Sequence, residues 1–219
     1  MRIAYCVSGH VRQFRNSLSD PNKLFKDNNI DFFLSTWDRS GADCVFWNGD
    51  KEQGDIVHED QIKSLYSPIA MDIENRSNYE YLSCYDRPLI NSPHNVNTLN
   101  TLLMFKKIKK SISYVDSSYN VVVRGRFDLL SLTINLDKKI DKNTIYGKTS
   151  PINGYPSDVF FYGDQETMIK CVPEEDFYTD EVLSSAKNAE DIFSKYLTKY
   201  NINFVVDSDL QYNLKGVLY

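Results

Sequence analysis

Three short stretches of this sequence are largely apolar along their whole length: Ile3 to Val7, Ile30 to Thr36, and Tyr119 to Arg124 with its Val121-Val122-Val123 centre. A strand with one wet face alternates polar and apolar residues. A run without that alternation has both faces covered, which points to the interior of a mainly parallel sheet packed between helices. Each run stops abruptly, at Ser8-Gly9, at Trp37-Asp38 and at Gly125-Arg126-Phe127-Asp128. Between the first two, Ser19-Asp20-Pro21 ahead of Asn22 to Lys26 reads as a capped helix with proline in its first turn. Strand, helix and strand within about 35 residues make a crossover unit, and such units pair their strands in parallel.

The remaining pattern extends the same architecture. His58 to Tyr66 reads as a helix and Pro68 to Glu74 as a strand, whereas Arg39 to Gly54 is a polar loop. Asn75 to Asn95, with Pro88 and Pro93, is expected to be irregular and mobile. Leu99, Leu102, Leu103, Phe105, Ile108, Ile112 and Val115 recur mostly at helical spacing and define a helix over Asn97 to Val115. Within it, Lys106-Lys107-Ile108-Lys109-Lys110 reads as a solvated face. Strands are expected at Asn143 to Tyr146, Ser157 to Tyr162 and Asn203 to Val206, with helices from about Asp164 to Cys171 and from Asn188 to Tyr200. No repeat or low-complexity linker divides the 219 residues, so one α/β domain is expected, a Rossmann-like, mostly parallel sheet flanked by helices.

Charge and cysteine content narrow the function. With 25 Lys and Arg against 30 Asp and Glu, the net charge of −5 does not suit a nucleic-acid binder. The four cysteines, Cys6, Cys44, Cys84 and Cys171, have neither metal-ligand nor redox spacing and fit a reducing, cytoplasmic setting. No stretch reaches the roughly 20 apolar residues of a membrane span, and Met1 leads straight into a strand without room for a signal peptide.

In open α/β sheets ligands gather beyond the carboxyl ends of the strands. The first strand delivers Ser8, Gly9, His10 and Arg12 there, the second Trp37 and Asp38, and the strand before residue 125 delivers Arg124, Arg126 and Asp128. An indole, arginines and a carboxylate suit a nucleoside diphosphate with its phosphates and a cation. Each also has a plainer role. Arg12 can be a surface residue at a helix entry, Trp37 can be core, and His10 lacks a Ser or Cys partner and is best read as a loop hydrogen-bonder.

Ser8 to Phe14, Ser35-Thr36-Trp37-Asp38, Met104 to Ile108 and Val122 to Leu129 resemble, in order, blocks of small GT-A-type polysaccharide glycosyltransferases of bacteria and large viruses. Ser157 to Gly163 and Ala189-Glu190-Asp191 follow in the same order, so the resemblance spans residue 1 to about 206. It implies a glycosyltransferase that takes a sugar from a nucleotide-sugar donor, most simply a UDP-sugar, to a glycan or protein-linked hydroxyl. It also implies an Asp-x-Asp element that holds Mn²⁺ or Mg²⁺ against the diphosphate. Here that element reads Arg126-Phe127-Asp128, and the first acid is missing. Asp128 can still anchor a cation whose other ligands are phosphate and water; alternatively Arg126 and Arg124 neutralise the diphosphate themselves.

An inverting transfer needs a base for the acceptor hydroxyl. By resemblance Glu190 and Asp191 supply it, with Asp158 as the other candidate. The same acids also fit structural roles: Glu190 and Asp191 as an acidic first turn facing the helix dipole, Asp158 as a strand-end residue. Two rivals remain at this stage. One is a non-catalytic nucleotide-sugar or carbohydrate binding domain; the other is a nucleotidyltransferase, for which the loop after Ser8-Gly9 is too poor in glycine.

Overall fold

A computed structural model describes residues 1–9, 11, 30–39, 56–92, 96–136, 138–151 and 153–214. The helix expected around residues 22–26, most of the polar loop after Arg39, and the positions of His10 and Arg12 lie outside the described residues.

Among the described residues, seven strands form one sheet. They are β1 (Ile3–Gly9), β2 (Ile30–Trp37), β3 (Ala70–Glu74), β4 (Val121–Gly125), β6 (Thr144–Thr149), β7 (Pro156–Gly163) and β8 (Asn203–Val206), in the order β3-β2-β1-β4-β7-β6-β8. The first four are mutually parallel, with Ile3 opposite both Ile30 and Val121. β7 alone runs against its neighbours, pairing antiparallel with β4 and β6, and β8 returns parallel to β6. The chain is therefore α/β with a mostly parallel, Rossmann-like sheet, as expected.

Both faces of the sheet are buried. On one side Ala4, Cys6, Phe33, Val122 and Phe161 meet two helices, α2 (Thr98–Ser113) and α5 (Ala189–Lys199), through Leu102, Phe105, Ile108 and Phe193. On the other, Tyr5, Val7, Leu34, Val121, Val123 and Phe160 meet α1 (Glu59–Tyr66) through Ile62 and Tyr66. Alternate residues of β1 and β4 thus enter different cores, which is why those runs lack a polar face. Burying each such large side chain is worth about 1.5–3 kcal/mol.

Helix α2 begins where Asn97 Oδ1 accepts from Asn100 N at 3.0 Å and ends within two residues of the expected boundary. Its basic run departs from expectation. Lys107 is completely buried, because it follows Leu103 by one turn on the apolar face, and its ammonium is 2.9 Å from Asp72 Oδ2 and 2.7 Å from Glu74 Oε2. Tyr79 donates to Glu74 at 2.6 Å and Tyr114 to Asp72 at 3.1 Å, so the carboxylates on β3 are shared among several donors. Burial pushes the Glu74 carboxyl up, but the bonds from Lys107 and Tyr79 outweigh it and hold it below the usual value.

Three further pieces were not anticipated. Arg76–Tyr85, expected to be irregular and mobile, forms 3-10 turns, opened by an Asn75 side chain that accepts from Ser77 N and anchored by buried Leu82. β5 (Leu129–Thr133) pairs antiparallel with β9 (Gln211–Leu214) as a separate two-stranded ribbon. Beyond the short helix α3 (Gln165–Lys170), a helix of one to two turns, α4 (Asp180–Ser185), precedes α5 and is capped by Thr179.

Candidate active site

The parallel strands and α5 converge on one rim of the sheet. β4 ends there, β7 begins there because it is reversed, and α5, which leads directly back into β8, starts there. That meeting place gathers Arg124, Arg126, Asp128, Asp158 and Glu190 from three separate parts of the sequence.

Arg124 lies in β4 opposite Phe161, only 1% exposed. Its Nη1 donates to the Val159 carbonyl at 2.5 Å, while its Nε is buried with no hydrogen-bond partner among the described residues. Burial lowers its pKa to about 10, opposed mainly by the negative charge of Asp158. A guanidinium this deep acts on the rim through its field and its hold on β7.

Gly125 follows because nothing larger fits: a β-carbon there would lie 2.6 Å from Tyr5 Cε2. Tyr5 is itself fixed edge-on to Phe32, which packs edge-on to Tyr66, and Tyr66 to Phe127. This aromatic ladder sets the course of the turn after β4. On it, Arg126 and Asp128 face each other in a two-point pair, Nε to Oδ1 at 2.9 Å and Nη2 to Oδ2 at 2.5 Å. The Asp128 side chain is 5% exposed, so its guanidinium partner supplies what water would otherwise provide.

Asp158, buried at the start of β7, lies within electrostatic reach of Arg124 and Glu190, and Glu190, in the first turn of α5, within reach of Arg126. The Glu190 carboxyl is pushed up to about 7, first by burial and next by the charge of Asp158; its own helix N–H donors and Arg126 pull the other way. A carboxyl balanced near neutrality beside an ion pair can take and return a proton at physiological pH.

Asp191, adjacent in sequence, is engaged differently. Its Oδ2 accepts from Lys187 N at 3.0 Å, its Oδ1 from Lys195 Nζ at 2.7 Å, and its own N–H donates to the Asn188 cap at 2.8 Å. These bonds close the start of α5.

The other expected positions among the described residues lie at the ends of β1 and β2. Ser8 is buried with no hydroxyl partner among the described residues, and Gly9 takes φ +105°, a conformation that favours glycine, with its carbonyl accepting from Thr36 Oγ1 at 2.8 Å. Trp37 lies in the core, 3% exposed, edge-on to Tyr79 and over Lys107. Half-buried Asp38 accepts from Asn75 Nδ2 at 2.8 Å. A cavity of about 280 Å³ beside α4, lined by Arg87, Leu89, Thr98, Asp180 and Leu183, contains none of the gathered residues.

The residues fit a resident divalent cation poorly. Both Asp128 oxygens are held by Arg126, and among the described residues no group of three His, Cys, Asp or Glu side chains is placed to hold a metal ion. Nor is any described helix long and apolar enough to cross a membrane.

No protein-family model matches this chain, and no curated protein does. Among solved structures the chain is similar to the galactosyltransferase LgtC, determined in complex with donor and acceptor sugar analogues. The likeness has a TM-score of 0.44 at 11% identity and covers 94% of this chain and 73% of that one.

Proposed function

We propose that this protein is a glycosyltransferase that moves a sugar from a nucleotide-sugar donor, with UDP-sugars the first to test, to a hydroxyl on a glycan or protein-linked acceptor. The observation that carries this reading is the convergence of Arg124, Arg126, Asp128, Asp158 and Glu190 at the rim where β4 ends and β7 begins. Sugar transfer needs positive charge where the diphosphate leaves and a base where the acceptor hydroxyl enters, and the cluster offers both within one site.

In this reading Arg126 faces the diphosphate with Arg124 buried behind it, Ser8 and Gly9 border the nucleotide, and Asp38 marks the far end of the donor cleft. Glu190 takes the acceptor proton, as an inverting transfer requires. Burial, with the charge of Asp158 second, holds Glu190 in the range where it can do so. Asp191 keeps the first turn of α5 in place. The cation expected on Asp128 has no step in this scheme, because that carboxylate is already engaged.

The test is turnover against binding. Glu190→Gln is expected to abolish transfer from a radiolabelled UDP-sugar while leaving nucleotide affinity intact. The closed Arg126–Asp128 pair also favours a second reading, a nucleotide-sugar binding domain without turnover. Wild-type protein that binds donor yet neither transfers nor hydrolyses it would decide for that reading.

A further inference from the structure

The pair between Arg126 and Asp128 has a consequence for how the donor is bound. We infer that the diphosphate is neutralised by the guanidinium of Arg126, oriented by Asp128, so that nucleotide binding and transfer need no divalent cation. This rests on the nucleotide-sugar reading above and deepens it by assigning the counter-charge to the protein.

The first argument is the donor set. A hard cation takes six or more oxygen ligands and is bound by carboxylate oxygens that are available to it. Both Asp128 oxygens already accept from one guanidinium, at 2.9 and 2.5 Å, so a cation would have to compete with Arg126 for them. Admitting a cation would displace Arg126 and leave two positive groups crowded at one turn.

The second argument is burial. Asp128 is nearly enclosed, and an enclosed carboxylate whose guanidinium is taken away is strongly unfavourable. Arg126 therefore remains on Asp128 when ligand arrives, and Asp128 is a positioning residue that fixes the plane of the guanidinium. A guanidinium carries five N–H donors in a rigid fork, a geometry matched to phosphate oxygens.

The third argument is the ground beneath the turn. Arg124, two residues earlier and fully buried, adds a second fixed positive charge that cannot swing away, because Val159 and the strand pairing hold it.

The chemical step balances without a metal. The acceptor oxygen bonds to the anomeric carbon as the bond from that carbon to the diphosphate oxygen breaks. The electron pair departs on the diphosphate, where Arg126 and Arg124 stabilise it, and the acceptor proton passes to Glu190.

The experiment is calorimetric titration of the full chain with UDP, GDP and dTDP, once in excess EDTA and once in Mn²⁺. The nucleotide that binds is expected to do so within about threefold equally in both arms. Arg126→Ala should weaken it about tenfold or more in both, with Arg126→Lys between. Arg126→Asp rebuilds a paired acid, and its nucleotide binding is expected to depend on Mn²⁺. Thermal unfolding of each variant checks that it is folded. Mn²⁺ tightening wild-type binding tenfold or more would overturn the inference. So would unchanged affinity in Arg126→Ala. Absence of nucleotide binding in either arm overturns the donor reading itself, and this inference with it.

Discussion

Lys107 Nζ stands 4.4 Å from the centre of the Trp37 ring, inside a helix–sheet interface where neither side chain meets solvent. The ammonium is held there by Asp72 and Glu74, so the end of β2 and the end of β3 are tied to one helix through a single charge. Lys107→Met should cost about 3 kcal/mol in urea unfolding, because it strands two partly enclosed carboxylates. Replacing Asp72 and Glu74 by Asn and Gln in the same protein should recover much of that loss. Glu74 is held below its ordinary value, so its contribution is present above pH ~4.5 and fades as the pH falls below that; the fade should shrink in Lys107→Met, where the Tyr79 bond remains.

The Glu190 carboxyl gives the opposite sign. Its native value is raised to about 7, so charging it opposes folding: no penalty exists below pH ~4.5, and the full penalty is reached above pH ~7. Glu190→Gln should therefore be more stable than wild type by roughly 1–3 kcal/mol at pH 8 and indistinguishable from it near pH 4. Thermal unfolding at the two pH values measures this. The transfer rate of the wild type should climb with pH through about 7, since the base must be ionised. A rate flat from pH 6 to 8 would remove Glu190 from that role.

Asp191→Ala should act on stability first. It deletes two bonds at the start of α5, from Lys187 N and Lys195 Nζ, and should lower stability by about 1–2 kcal/mol. If its only task is to hold that turn, donor affinity should stay near wild type at temperatures where the variant is folded.

Gly125→Ala tests the aromatic ladder. The new β-carbon would overlap the Tyr5 ring, and either β4 or Tyr5 has to move, at a cost of about 1–3 kcal/mol. Displacing Tyr5 disturbs Phe32, Tyr66 and Phe127 in turn, so nucleotide affinity should fall along with the melting temperature.

How far the sequence could be read varies with the physical signal. β1, β2 and β4 were legible because strands covered on both faces have no polar alternation to confuse them. The ribbon of β5 and β9 was not, since its partners are about 80 residues apart and neither is a long apolar run. The 3-10 turns at Arg76–Tyr85 hide behind polar residues and depend on Leu82 as an anchor.

At the site, the types of residue were readable and their partners were not. Glu190 and Asp191 are neighbours in one acidic turn, and only the tertiary contacts tell them apart, Glu190 lying near Asp158 and Asp191 bound to Lys187 N and Lys195 Nζ. Lys107 could have been recognised. It stands four residues after Leu103 and four before Ser111, on the buried side of the helix, and Asp72 and Glu74 alternate along a strand as if waiting for one cation.

The reversed course of β7 carries a last consequence. Since that strand sets out from the rim where Arg126 and Glu190 gather, the hairpin joining Thr149 to Pro156 opens beside Asp158, and its backbone is largely independent of the parallel ladder. Lengthening or trimming this hairpin would reshape the acceptor's approach while the parallel strands keep their pairing. Evolution, or a library of loop variants, thus has a tunable threshold at which acceptor preference can drift without remaking the protein.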